Sequence, residues 1–322
     1  MATLNTTSQL TLLDLMIRQG GAMQTIAEVL TQTNEILLDA VWVEANGATG
    51  HKFLERTSLP SGSWRKLNDG VGYEKSAARE KTETPGMLES FSKVDKALVD
   101  LAANPAEFRF SEDSAFLQGL GQTFASAFFY ADTVVDPEKF KGLAPRLGAS
   151  AAKHVILNGG SGSDLTSIYV VNWGVGHTHM IYPKGFRPGG IEMEDLGQQL
   201  VDGETAGTSY LALVTHFKMA CGLVVKDPSR DIHRIANIET AGADNLFNAE
   251  NLITVLNNMS AAGGFPVIYC NSTIKTQMDI AAEKKSNVNL QWTEAWGGKV
   301  LAFRGVPIRQ CDAILDTESA IS

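Results

Sequence analysis

The sequence predicts an α+β fold carrying two limbs, and three observations support that expectation. A polar stretch of forty residues, Asn46 to Pro85, holds only ten apolar residues, whereas 44% of the whole chain is hydrophobic. Phe116, Leu120, Phe124 and Phe128 recur every four residues, the stripe a long helix buries. Between Lys153 and Ile238, short β-rich runs are separated by glycine and proline, and from Asn248 helical and strand patterns alternate.

Residues 1–43 read as an amino-terminal arm. Leu10, Leu13 and Ile17, then Ile26, Val29, Leu30, Ile36 and Leu37, fall at three- and four-residue spacings broken by Gly20-Gly21, which predicts two short amphipathic helices. Residues 44–95 follow as an extended hairpin loop. A structureless connection beyond ~15 residues is rare inside a compact domain, and the turn signals Pro60-Ser61-Gly62 and Asn68-Asp69-Gly70 divide this one into extended runs. Such a limb cannot bury itself, so it is expected to pack on another copy of the chain. Charge agrees: His51 to Lys81 carries seven basic and four acidic residues, +3, on a chain of net charge −9. Opposite potentials would steer a basic limb onto an acidic neighbour.

Residues 96–240 predict a β-rich domain with a long helix. Met87 to Leu101 reads as a strand and short helix ending at Asn104-Pro105. Ser111 is the expected cap of the long helix, with Glu112 and Asp113 in its first turn. About twenty residues would span roughly 30 Å. The runs Ile168–Val171, His177–Tyr182, Leu211–Phe217 and Leu223–Val225 predict an antiparallel sheet. Residues 241–322 read as an α/β unit of their own. There Leu252, Val255, Leu256 and Met259 mark a helix and Pro266–Tyr269 a strand. Ser272 caps a helix through Ile274 and Met278, and Val300–Phe303 and Val306–Ile308 are strands.

Composition excludes several function classes. No apolar run approaches the ~18 residues that cross a bilayer, and the first basic residue is Arg18, so neither a membrane partner nor a secretory signal is expected. Cys221, Cys270 and Cys311 are widely spaced without a CxxC pair, which predicts reduced core thiols instead of disulfides or a zinc site. A net charge of −9 repels phosphate backbone, so tight nucleic-acid binding is not expected.

No catalytic constellation completes itself. His177 and His179, two apart on an expected strand, would share a face, but no third ligand follows at a matching spacing. Gly159 to Asp164 resembles a phosphate cradle without its lysine, and a hairpin turn explains it better. Glu192, Glu194 and Asp195 read as a solvated acidic docking surface. Cys270 with His233 or His216 lacks a local signature of a nucleophile and base. The expectation is a non-enzyme with no catalytic residue, cofactor or metal.

Ordered motifs then carry a resemblance. Arg56-Thr57-Ser58-Leu59-Pro60 with Trp64-Arg65, Met87-Leu88-Glu89, Val94 to Leu98, Phe129-Tyr130, Asp136 to Phe140, Gly142 to Arg146, Ile181 to Gly185, Glu194 to Gly197 and Phe303 to Arg309 occur in sequence. Together they resemble the major capsid protein of short-tailed double-stranded DNA bacteriophages, over roughly Leu10 to Glu318. The resemblance implies the tailed-phage capsid fold: amino-terminal arm, extended hairpin, peripheral domain with a long spine helix, and axial α/β domain. Because the β-rich segment precedes the α/β segment here, a rearranged connectivity is expected within that fold.

The implied function is self-assembly as hexamers and pentamers into an icosahedral shell around double-stranded DNA, located in the virion and assembled in the host cytoplasm. A portal and scaffolding or decoration proteins are the further partners implied. Arg56, Trp64, Arg65 and Lys66 are the expected inter-subunit contacts, because aromatic and arginine residues carry interface energy disproportionately. Two rival readings are an encapsulin-like cellular nanocompartment shell and an α/β enzyme using the Gly159 loop.

Overall fold

A computed structural model describes residues 34–47, 49–148, 154–186, 190–203, 205, 207–242, 244–259, 263–283, 290–295 and 298–321. The elements are α1 (Ile36–Asp39), β1 (Trp42–Glu44), β2 (His51–Ser58), β3 (Ala77–Glu83), β4 (Gly86–Asp95), α2 (Lys96–Leu101) and α3 (Pro105–Tyr130). Then come β5 (Val155–Leu157), β6 (Leu165–Trp173), β7 (Thr178–Tyr182), β8 (Glu192–Asp202), β9 (Ser209–Val225), α4 (Pro228–Asp231) and β10 (Ile232–Glu239). Last are α5 (Ala249–Asn258), β11 (Phe265–Cys270), α6 (Ser272–Glu283), β12 (Leu290–Ala295), β13 (Gly298–Phe303) and β14 (Val306–Gln310). The expected amino-terminal helices lie outside the described residues, apart from Ile36 and Leu37 in α1.

The chain divides into two compact units that interleave in sequence: one takes Met87–Ala125 and Gly190–Met219, the other Glu35–Gly86, Ser126–Gly189 and the chain from Ala220. The chain leaves the second unit after Gly86 and returns to it at Ser126, before β8 and β9 complete the first.

In the first unit, α3 packs on β9 and β8. Arg109 reaches both carboxylate oxygens of Asp195 at 3.1 and 3.0 Å and the Thr215 hydroxyl at 3.2 Å. The Phe116 ring stacks on Phe217 with centroids 5.9 Å apart. The helix begins six residues before the expected cap at Ser111. Asn104 is the cap, its side chain bridging to Glu107 and its carbonyl accepting from Phe108 N at 3.1 Å. Pro105 takes the first helical position, where a missing N–H costs nothing. The proline read as a terminator is thus an initiator. β8 pairs along its length with β9, and Glu192 bonds Lys218 at 3.2 Å. The expected acidic surface therefore keeps Glu194 exposed but neutralises Glu192 and Asp195 internally, Arg109 holding the Asp195 carboxyl below its ordinary range.

The second unit is built on β6, whose nine residues are all buried. Both faces are covered, which is why its sequence reads as a nearly continuous apolar run. On one side Ile168 and Val170 join Ile235, Leu252, Val255, Ile268, Ile274 and Met278 under α5 and α6. On another, Phe128 at the end of α3 stacks on Trp173 at 5.9 Å, and Trp173 Nε1 donates to the Tyr269 hydroxyl at 2.8 Å. The chain after α3 turns back to close it, Gly142 N donating to Ala131 O at 2.8 Å and Leu143 N to Phe128 O at 3.0 Å. A Cβ at position 142 would sit 2.7 Å from Ala127 O, so only glycine fits.

The sheet is mixed, not antiparallel as expected. β10 and β11 flank β6 antiparallel, but β5 joins β10, β14 joins β11 and β1 joins β7 in parallel. Within residues 241–322, β11 hydrogen-bonds directly to β6. Helix α6 is capped by Asn271, whose side chain accepts from Ile274 N at 2.9 Å, one residue before the expected Ser272.

Candidate assembly surface

β2 and β3 form a separate two-stranded ribbon in the second unit, with His51 opposite Glu83 at its root. β4 is not part of it. Along β2, Phe53 and Glu55 are half-buried while Lys52, Leu54 and Arg56 face solvent. Cross-strand ion pairs line the ribbon: Lys52–Glu80 at 2.9 Å, Arg79–Glu55 at 2.6 Å and Lys81–Glu55 at 3.1 Å. Such exposed pairs contribute little each, and a lone two-stranded ribbon is marginal in water.

The tip, residues 59–76, has no strand or helix, and polar groups organise it locally. Glu74 accepts from the Ser61 and Gly62 amides at 2.7 and 3.0 Å, and Arg65 donates to Asp69 O at 3.3 Å. Gly62 and Asn68 take left-handed φ of 68° and 67°, as the turn signals at these positions require. The four acids between His51 and Lys81 are engaged locally: Glu55 and Glu80 on bases of the ribbon, Glu74 on tip amides and Asp69 on the Gly70 amide. What remains uncompensated is positive.

The four residues singled out from sequence lie along this limb. Arg56 is exposed on β2 opposite Ala78, and Trp64, Arg65 and Lys66 are consecutive at the tip. Among the described residues none of the three bases has a carboxylate partner. Trp64 is 104% and Tyr73 107% exposed, as free as an isolated side chain, and Leu59 and Leu67 are exposed with them. The limb thus combines unpaired cations with large apolar groups out of contact with their own body.

Sequence reasoning missed the residues that anchor the limb. Arg146 donates to both oxygens of Glu83 at 2.6 and 2.8 Å, and also to the carbonyls of Gly142, Lys141 and Leu223. Asn46 clips the other strand, donating to Lys52 O at 2.6 Å and accepting from Lys52 N at 2.9 Å. Gly222 lies so close to the root that a Cβ would meet Pro85 Cα at 3.0 Å. No spacing motif joins partners so far apart in the chain.

The candidate reactive groups are structural. Gly160 N is spent on Asn237 O at 3.0 Å, so the Gly159 loop is a tied turn and not a cradle. His177 precedes β7 and bonds Asp231 at 2.8 Å, while His179 is buried inside β7, so the two share no ligand face. Among the described residues no group of His, Cys, Asp and Glu could hold a metal ion. Burial pushes the Cys221 and Cys270 thiols up to about 12, and Cys311 is raised too, the reverse of what a nucleophile needs. No described helix is long and apolar enough to cross a membrane.

The limb thus leaves cations and large apolar groups exposed on a body whose cysteine thiols are buried. The fold places the protein among phage capsid proteins: the chain has a TM-score of 0.73 and 33% identity with a chain of the cryo-EM structure of bacteriophage Epsilon15, covering 99% of each. The bacteriophage JBD30 capsid shares the fold at 13% identity, with a TM-score of 0.50 over 93% of this chain and 97% of that one. No curated protein matches the chain. The sequence pattern of the family described as major capsid protein GP7 matches residues 18–322, and the chain belongs to that family.

Proposed function

We propose that the chain builds an icosahedral shell from hexamers and pentamers of itself, the hairpin tip of each copy docking on the peripheral part of a neighbour. The observation that carries this reading is the outer limb: Arg56 on β2 and Arg65 and Lys66 at the tip, without carboxylate partners among the described residues, and a fully exposed Trp64, on a chain of net charge −9. Complementary potentials set encounter and register, while Trp64 supplies an apolar anchor of the kind that dominates interfaces. Each contact is modest. Many boundaries per subunit, closed by symmetry, add through avidity.

The shell encloses double-stranded DNA without reading its sequence, and net negative charge keeps the polymer from adhering to the wall. A portal and scaffolding or decoration proteins are the further partners, assembly takes place in the host cytoplasm, and no catalytic step belongs to the chain. The test is double charge reversal, Arg65→Glu with Lys66→Glu, together with Trp64→Ser. Purified subunits should keep native circular dichroism and remain soluble, while electron micrographs show less than about a tenth of the normal particles. Exposed positions of this kind shift stability by no more than about 0.5 kcal/mol, so normal particle yield from these variants would overturn the docking role.

A further inference from the structure

Two imidazoles meet where the hairpin joins the sheet. His51 opens β2, His179 lies within β7, and their rings stand edge to face with centroids 5.8 Å apart. The Nδ1 atoms of both are buried and have no hydrogen-bond partner among the described residues. His179 is 1% exposed. Two neutral rings can share this contact; two imidazolium ions cannot, because each would lose water and face a like charge.

Backbone hydrogen bonding at His177 and Gly174 favours a proton on His179, but burial and neighbouring positive charge outweigh it. From the turn after β9, Lys226 acts on both rings as a further positive charge, its ammonium held in place by Val175 O at 2.8 Å. From β3, Glu83 stands opposite His51, but its carboxylate is taken by both arms of Arg146. On His51's own strand, Lys52 pairs outward with Glu80. The Asp231 carboxylate is occupied by His177 and the Asp227 amide. Among the described residues just named, a proton arriving at the pair therefore meets the Lys226 ammonium and carboxylates that are already engaged. Burial first, then Lys226, depresses the affinity of His51 for a proton, and burial, Lys226 and His51 bring His179 down to about 4.

The rest of the root is mechanically simple. β2 and β3 pair only with one another, so the ribbon is joined to the sheet through the Asn46 clip, the Glu83–Arg146 pair, the backbone approach of Pro85 to Gly222, and the His51–His179 contact. Of these, the histidine contact is the one that changes charge in mild acid.

We propose that the His51–His179 pair is an acid-sensitive latch, whose protonation loosens the root of the β2–β3 hairpin from the sheet while the sheet itself stays folded. The sign follows from linkage. A released root exposes the rings to water, where they bind protons near pH 6.5, and a closed root resists the proton, so falling pH favours release. For His179 alone, full recovery of the ordinary affinity would raise the released fraction on the order of 20-fold between pH 7 and pH 5. The latch goes beyond assembly: it belongs to the single chain and operates whether or not copies associate.

Amide hydrogen exchange on the full chain, dispersed and assembled, tests it after correction for the intrinsic pH dependence of exchange. Protection in peptides covering 51–58 and 77–86 should fall about 20-fold from pH 7 to pH 5 while peptides covering β6 and β11 keep theirs. In His179→Gln, which removes the ring whose recovered affinity gives that change, the fall should shrink well below about 20-fold. His51→Phe, which keeps an aromatic ring at a half-buried position, removes the other imidazole and should shrink the fall in part, serving as a second, independent variant should the first misfold. The proposal is overturned by root protection that does not change with pH, by an equal fall in both variants, or by a fall shared with β6 and β11, which would be general acid unfolding.

Discussion

Arg146 grips Glu83 through two parallel hydrogen bonds and thereby ties the root of the hairpin to the segment that closes the long helix. Both side chains are nearly buried, at 9% and 14% exposure. Planar guanidinium matches carboxylate geometry in a way an ammonium does not. Arg146 also fills three backbone carbonyls, so no part of its donor fork is idle.

Removing one partner should therefore cost much more than an exposed ion pair would. Glu83→Gln and Arg146→Met are each expected to lower unfolding free energy by about 3 kcal/mol, the cost of stranding a mostly buried charge or its donors. Arg146→Lys should recover only part of that. Urea denaturation of dispersed subunits measures it, and a loss below about 1 kcal/mol would show that the root is held by something else.

A second buried pair fixes the carboxyl-terminal segment. Glu318 accepts from Arg234 at 3.0 Å and Tyr130 at 2.6 Å, and pairs closely with Ser167, while its backbone bridges to Leu165. One carboxylate thus joins the end of α3, β6 and β10. Glu318→Ala should cost about 3–5 kcal/mol, whereas the double change Glu318→Leu with Arg234→Met should cost less than the sum of its single changes. A double-mutant cycle of unfolding free energies reads the coupling; strict additivity would mean the four groups do not act together.

The pH dependence has a definite sign. His233 is fully buried on β10 with neither ring nitrogen bonded among the described residues, and burial, reinforced by His154, brings it down to about 4 despite the opposing pull of Asp227. Between its ordinary value and that one, the unfolded chain takes a proton that the native chain refuses. Its contribution to stability is complete above about pH 6.5 and declines as pH falls toward 4, by about 2 kcal/mol from pH 7 to pH 5. His233→Leu should shrink the stability difference between those pH values by about that much in urea titrations. An unchanged difference would place the acid sensitivity elsewhere.

How much could be read beforehand depended on whether the signal was local. The hairpin was legible because Gly62 and Asn68 sit where left-handed backbone is needed and because its flanks lack apolar residues to bury. Phe124 and Phe128 marked α3, since burial of one face imposes a four-residue period. Its start was misread because Asn104-Pro105 serves equally to end one helix and to begin the next. β8 was read as a solvated acidic stretch, because its pairing to β9 and the partners of Glu192 and Asp195 come from distant parts of the chain. The limb residues Arg56, Trp64, Arg65 and Lys66 could be named from composition. The residues that hold the limb in place could not.

By itself the sequence determined the local conformations and the polar limb, since propensity, turn chemistry and charge act over a few neighbouring residues. Tertiary structure alone decided that the sheet is mixed, that the two units interleave, and that Glu83 meets Arg146, Glu318 meets Arg234 and His51 meets His179. These pairings span 63, 84 and more than a hundred residues of chain. Their partners are chosen by how the core packs around β6, and packing is a property of the whole fold and not of any window within it.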